Sequence, residues 1–403
     1  MLGTEFGAGS VARAIARVGA LAIAAVAITP ASAQVGNSSV ETFRVVTFVD
    51  GLVNPWSMAF LPNGDMLVTE RPGRLRIVRN GRLLPDAVPG VPAVRVQGQG
   101  GLHEIALHPD FANNRTVYLS FAKGNADNSL GTTALVRARL ENDRLVDVQE
   151  IFEAKAWAPT PGHFGARIAF DGAGHLFLSV GDRMAGFEPD GFTKDLEGHP
   201  AQDLSNHQGT IVRLNYDGSA PSDNPFVGRA GALPEIWSYG HRNPQGLVFD
   251  APTGQLWETE HGPQGGDELN VIQRGHNYGW PVIGYGANYT IGTELHAGRE
   301  RAGMDQPAAF WVPSIATSGL AMYHGAAFPN WEGNLLVGGM SAQFQQLARM
   351  SLNGTTVTGR EGMLQGQYRI RDVRVGPDGF VYIATDNIFG NPSSIIRLEP
   401  TDE

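Results

Sequence analysis

The chain has 403 residues, a net charge of −10 and no cysteine, and 42% of it is hydrophobic. These figures exclude a disulfide scaffold, thiol catalysis and cysteine-bound zinc, and an acidic chain without a basic run is a poor nucleic-acid binder. Its 52 glycines, about twice the usual share, follow no collagen period and point to many tight turns between short strands.

The N-terminus reads as a targeting signal. Arg13 and Arg17 form a positive region, Val18 to Ile28 a short apolar run, and Ala31-Ser32-Ala33 a small-residue cleavage site. The expectation is export to the periplasm and removal of residues 1–33. Residues 34–403 would then be the folded chain, without stable membrane insertion. An uncleaved anchor is the alternative, although the apolar run is short for a bilayer.

One pattern then recurs: a turn with Pro, Asp, Asn or Gly, followed by a β-rich run. Copies begin at Leu61, His108, Phe170, Phe249, Phe328 and Gly376. Each reads as a hairpin. A lone hairpin cannot bury its apolar face, so six of them predict an all-β fold, a six-bladed β-propeller with four-stranded blades and very little helix. The alternative is a β-sandwich with recurrent turns. Long loops are expected at 183–207 and 284–312, the first of them on the active face.

Candidate chemistry follows the same order. Gln97-Gly-Gln-Gly-Gly-Leu-His103 has a backbone permissive enough for close ligand approach. No helix follows it, so it is neither a P-loop nor a dinucleotide fingerprint. His163 precedes a strand, where a neutral imidazole takes a proton near pH 7; a hydrogen-bonded structural histidine is the other reading. Tyr239 to Leu247 and Glu260 to Glu268 flank one strand-turn-strand and belong at the same end of a hairpin. There Arg242 and Asn243 meet a Gly262-Pro263 turn with Asp267 and Glu268 close by. Spare turn carbonyls suit a hard cation such as Ca²⁺, and the guanidinium fork suits an anion. Arg369 and Arg371 alternate along a strand and face one side, as an anion-binding pair or a solvated edge pair. There is no His-Glu-x-x-His run and no Gly-x-Ser-x-Gly elbow.

Taken together, these residues resemble the soluble quinoprotein sugar dehydrogenases, and among them the bacterial periplasmic aldose sugar dehydrogenases. The resemblance spans nearly all of residues 43–399. It is carried by Gly240-His-Arg-Asn-Pro-Gln-Gly246, Glu260-His-Gly-Pro-Gln-Gly-Gly-Asp-Glu268 and Asn277-Tyr-Gly-Trp-Pro281, with Gly100 to Phe111 and Arg369 to Val373. It implies a six-bladed propeller that binds pyrroloquinoline quinone (PQQ) and Ca²⁺ and oxidises aldose sugars to lactones, with an external electron acceptor. By the resemblance, His163 is the base for the anomeric hydroxyl, with hydride passing to the quinone, and Arg242 stabilises the developing negative oxygen. Gly262 and Pro263 carbonyls hold Ca²⁺, and Gln99, Arg242, Asn243, His261, Asp267, Arg369 and Arg371 contact the cofactor. A second Ca²⁺ uses Glu268 and the Tyr278 carbonyl. A monomer is expected.

Two departures from the family pattern stand out. The lysine the family often carries is absent from 335–349, where Ser341 or Gln343 takes its place. Gly162 stands where the glucose-type enzymes have an Asp before the base, so His163 needs another orienting partner. The competing functions are a Ca²⁺-dependent propeller lactonase, whose carboxylates should recur across blades, and a cofactor-deficient sugar-binding propeller.

Overall fold

The computed structural model describes residues 34–188, 191–192, 195–289, 292–387 and 392–401. The expected signal segment, 1–33, lies outside them. The six anticipated hairpins each form the first two strands of an antiparallel sheet, and the six sheets are the blades of a propeller, not the layers of a sandwich. The inner strands are Pro55–Phe60, Leu102–Leu107, Ile168–Phe170, Pro244–Asp250, Thr317–Met322 and Ile370–Val375. Each touches the next around a central channel, and the last returns to the first.

The turns follow from their residues. In the first blade Asn63 Oδ1 accepts from Asp65 N at 3.1 Å, and Gly64, at φ 87°, donates its N–H to Leu61 O at 2.9 Å. The positive φ of such turns is the reason for glycine at that position. Ring closure comes from the chain's beginning. Thr42–Leu52 pairs with Ser393–Pro400 and completes the sixth blade, so the ring is fastened by strands from opposite ends of the sequence. Gln34–Asn37 adds an outer strand to it.

Stability resides between the blades. Six hydrophobic clusters each fill the gap between two neighbouring sheets. Phe43 of the closing strand, for example, packs on Trp331, which stacks on Phe328 at 4.4 Å. Burying an aromatic side chain of this kind is worth roughly 1.5–3 kcal/mol. The channel carries a buried polar network beside an open, mostly apolar stretch of about 360 Å³ between the inner strands. Arg167 donates to Glu104 and Asp372, both at 2.8 Å, and lies over the Trp56 ring at 4.1 Å. Gly319 faces Asp372 because a Cβ there would lie 2.6 Å from its Cα. Carboxylates thus line the channel from blades two and six, yet Arg167 and Arg374 neutralise both of them.

Segment 183–207 carries a two-residue hairpin, Phe187–Glu188 with Gly191–Phe192, and a 3₁₀ turn at Pro200–Gln202. Segment 284–312 is mostly irregular and ends in the outer strand Ala309–Trp311. No helix among the described residues is long and apolar enough to cross a membrane.

Candidate active site

The mouth of the fourth blade forms as its sequence suggests. Pro244 pairs with Glu260, which sets Arg242 and Asn243 beside His261 and Gly262. Glu260 fastens the junction, accepting from the Arg242 backbone N–H through one oxygen and facing His241 Nδ1 at 3.3 Å with the other. The Arg242 guanidinium donates to His261 O at 3.1 Å and Gly262 O at 2.8 Å, with Tyr289 OH at 3.4 Å and the Trp280 ring at 5.2 Å. Its Nε has no partner among the described residues. The turn is drawn tight enough to exclude any Cβ at Gly262, which would lie 2.3 Å from Gly265 O.

Asp267 stands behind this turn. Its oxygens accept from Gly262 N at 3.0 Å, from Ser314 Oγ at 2.8 and 2.7 Å, and from Thr317 N at 3.3 Å. Burial pushes its carboxyl up to about 6 against those bonds. It shapes the turn and is absent from the cavity wall.

His163 is buried and held in the left-handed region at φ 52°. Its backbone N–H donates to Gln99 Oε1 at 2.9 Å. Its orienting partner is Asp182, a residue that sequence reading did not single out. Nδ1 donates to Asp182 Oδ1 at 2.6 Å, and Trp280 Nε1 donates to Asp182 Oδ2 at 2.8 Å. Burial pushes the Asp182 carboxyl up, but His163, His199 and Arg242 outweigh it and hold it below the usual range. An ionised acceptor at Nδ1 makes Nε2 the basic nitrogen. Burial, then the charge of Arg242, holds the His163 pKa below its ordinary value despite Asp182. The imidazole is therefore neutral at neutral pH, with Nε2 as its proton acceptor.

A cavity of about 270 Å³ opens next to this pair. Gln99, Asn243, His261, Arg369 and Arg371 line it, joined by Asn54, Trp56, Arg71, His103, Gln245, Met340 and Asp386, which sequence reading did not assign to the site. His163 and Arg242 lie at its margin, since His163's neighbours Phe164 and Gly165 line the cavity and Arg242 lines an adjoining cleft. The anion expected between Arg369 and Arg371 is Asp386, whose Oδ2 lies 2.6 and 3.3 Å from them. Three arginines, Arg71, Arg369 and Arg371, line the cavity with one carboxylate, Asp386, and Arg371 Nε has no partner among the described residues. The surplus suits a ligand bearing several carboxylates. At the site of the missing lysine, Met340 lines the wall, and neither Ser341 nor Gln343 does. Asn54 and Trp56 were recoverable from the repeat: Asn54-Pro55-Trp56 occupies in blade one the register of Asn243-Pro244-Gln245 in blade four.

The adjoining cleft is lined by Arg242, Gly262, Pro263, Glu268 and Tyr278, so every residue expected to bind metal meets there. Beside it, Asn270 Nδ2 donates to Glu258 at 3.1 Å, Glu260 at 3.4 Å and Glu268 at 3.3 Å. Burial, then the Glu260 charge, pushes Glu258 and Glu268 well above the usual carboxylate range. Glu258 Oε1 and Asn270 Oδ1 have no partner among the described residues. Crowded acceptor oxygens without donors match what a hard cation requires.

His103 adds a pH dependence. It packs against Trp56 at 5.0 Å and Phe164 at 5.5 Å, and Nε2 donates to Gln99 O at 3.1 Å. Burial lowers its pKa to about 3. A depressed histidine leaves the folded state with fewer bound protons than the unfolded chain. Stability is then complete above about pH 6.5 and is lost as pH falls toward 3, by roughly 1.4 kcal/mol per unit. Replacing His103 with Phe should flatten this part of the stability–pH curve, as measured by denaturant midpoints between pH 4 and 7.

Comparison with known proteins identifies the family. A family model described as glucose / sorbosone dehydrogenase matches residues 52–397. The chain is 42% identical over 366 residues to aldose sugar dehydrogenase YliI of Escherichia coli (strain K12), covering 89% of this chain and 93% of that one. It is 28% identical over 460 residues to quinoprotein glucose dehydrogenase B of Acinetobacter calcoaceticus, covering 94% and 95%. The solved PQQ-bound form of aldose sugar dehydrogenase from Streptomyces coelicolor superposes with a TM-score of 0.68 at 30% identity, over 88% of this chain and 96% of that one. The chain belongs to the glucose / sorbosone dehydrogenase family, the oxidoreductases that include the aldose sugar dehydrogenases.

Proposed function

We propose that this protein is a periplasmic, PQQ-dependent aldose dehydrogenase that oxidises the anomeric carbon and releases the lactone. The observation that carries the reading is the buried His163–Asp182 pair, with Nε2 free to act as base, at the margin of an arginine-lined cavity. Gln99, Asn243, His261, Arg369 and Arg371 would hold the cofactor there, with Arg71 as a further cation and Asp267 bracing the turn behind. Carbonyls of Gly262 and Pro263 would hold Ca²⁺, and Glu268 with the Tyr278 carbonyl a second one. Orphaned oxygens on Glu258 and Asn270 support a cation close to Glu268.

When bound, the quinone supplies a two-electron acceptor for hydride, and Ca²⁺ a Lewis acid beside it. The chain's part is proton and charge management. His163 takes the anomeric hydroxyl proton at Nε2, and Asp182 stabilises the resulting imidazolium. The Arg242 guanidinium faces negative charge developing on oxygen. It donates to His261 O and to Gly262 O, the second an oxygen that would also serve the cation. The signal-like residues 1–33 support export, and an external carrier would take the electrons.

The test is dye reduction by the purified mature chain with glucose, xylose or maltose, with and without PQQ plus Ca²⁺. Turnover that needs both additions is expected. Lactone hydrolysis without cofactor would replace this reading with the lactonase. Sugar binding without redox turnover, in a protein with weak cofactor affinity, would leave a binding propeller.

A further inference from the structure

Arg183 has no part in the site described so far. It is buried, and it forms no ion pair among the described residues. A buried charge without a counter-ion is costly. Its guanidinium instead donates through Nη1 to Gly162 O and through Nη2 to Thr160 O at 3.0 Å, and its Cζ lies 3.5 Å from the Phe164 ring centre. The facing strap, residues 160–163, makes two further bonds: Thr160 Oγ1 donates to Arg183 O, and His163 O accepts from Arg183 N at 3.3 Å. His163, Arg183 and Met184 all sit at positive φ, at 52°, 57° and 56°. Three such residues together cost about 1–3 kcal/mol each and persist only where surrounding bonds hold them.

We propose that Arg183 is a positioning residue for His163, clamping the Thr160 and Gly162 carbonyls so that the strap carrying the base stays against Asp182. The proposal rests on the reading of His163 as the base. Lysine cannot reproduce it, because one ammonium lacks the planar fork that spans two carbonyls and stacks on a ring. The charge has a second effect. The groups facing His163 are Asp182 and Arg183 from the adjoining segment and Arg242 and His261 from the fourth blade. Arg183 and Arg242 both oppose protonation of the imidazole.

The experiment compares Arg183→Met and Arg183→Lys with the wild type. Four quantities are read: kcat against KM, the cofactor Kd by calorimetry, the acid limb of the pH–rate profile, and the His163 imidazole by NMR in protein without cofactor. Both variants should lose about 10–100-fold in kcat, with KM and cofactor Kd within about threefold of wild type. The imidazole pKa and the acid limb should move upward in Arg183→Met and stay in place in Arg183→Lys. Wild-type kcat in a folded Arg183→Met protein overturns the proposal, as does a loss that tracks cofactor affinity with the imidazole unmoved. If Arg183→Met does not fold, Arg183→Lys decides: wild-type kcat with an unchanged His163 Nδ1 proton signal overturns it. If the wild type shows no turnover, the dehydrogenase reading falls, and the NMR titration still decides whether Arg183 holds His163.

Discussion

Replacing His163 with Gln should lower kcat by about 10²–10⁴-fold, and Asp182→Asn should fall nearly as far, with cofactor affinity retained in both. His163 has few other duties. Among the described residues its side chain makes one hydrogen bond, to Asp182, and its neighbours Phe164 and Gly165, not its ring, line the main cavity. The Asp182 substitution acts through the tautomer. The carboxylate accepts from Nδ1 and leaves Nε2 as acceptor, whereas an asparagine amide can donate to Nδ1 and move the proton to Nε2. Asn would keep the oxygen that accepts from Met184 N or from Trp280 Nε1, so the fold should survive. The wild-type acid limb should lie below the ordinary imidazole value, because burial and Arg242 oppose protonation of His163. The checks are steady-state kinetics across pH, with calorimetric cofactor binding and near-UV circular dichroism as controls. Full activity in either variant would remove the base from this position.

The second large effect is on stability. Arg167→Ala should cost about 3–5 kcal/mol. Arg167 enters the channel from the third blade and ties together much of the ring. Besides its pairs with Glu104 and Asp372, it donates to Gln245 O at 2.7 Å and Arg371 O at 3.0 Å. With its ring contact on Trp56, it reaches five of the six blades. Removing it leaves two buried carboxylates with Arg374 as their one paired cation among the described residues. The measurement is the denaturant midpoint at constant m. Adding Glu104→Gln alone to an Arg167→Met background should recover part of the loss, since Asp372 and Arg374 then remain as a one-to-one pair. A loss under about 0.5 kcal/mol in Arg167→Ala, the range of ordinary surface changes, would show that the channel network does not hold the ring.

Much of this molecule was legible from local pattern. Each hairpin is specified by residues a few positions apart, with a turn between two β-rich runs, so six copies gave the blades. Arg242, Asn243 and Gly262 are set by one hairpin's register, and the alternation of Arg369 and Arg371 is a property of a single strand. Asn54 and Trp56 were legible in principle, because they repeat in blade one the register of Asn243 and Gln245. Asp267 shows the limit of such reading. It lies in the expected segment, yet its oxygens turn inward to Ser314 and Gly262 N.

The sequence by itself determined the all-β class, the number of blades, the family resemblance and the candidate base, because those rest on short-range periodicity and contiguous motifs. Tertiary structure alone decided what faces them. Asp182 meets His163 from 19 positions away, Asp386 meets Arg369 from 17, and Asp372 meets Arg167 from 205. A carboxylate's partner is chosen by which loops and inner strands converge on the channel once the ring closes. Nothing in a residue's immediate neighbours encodes that meeting.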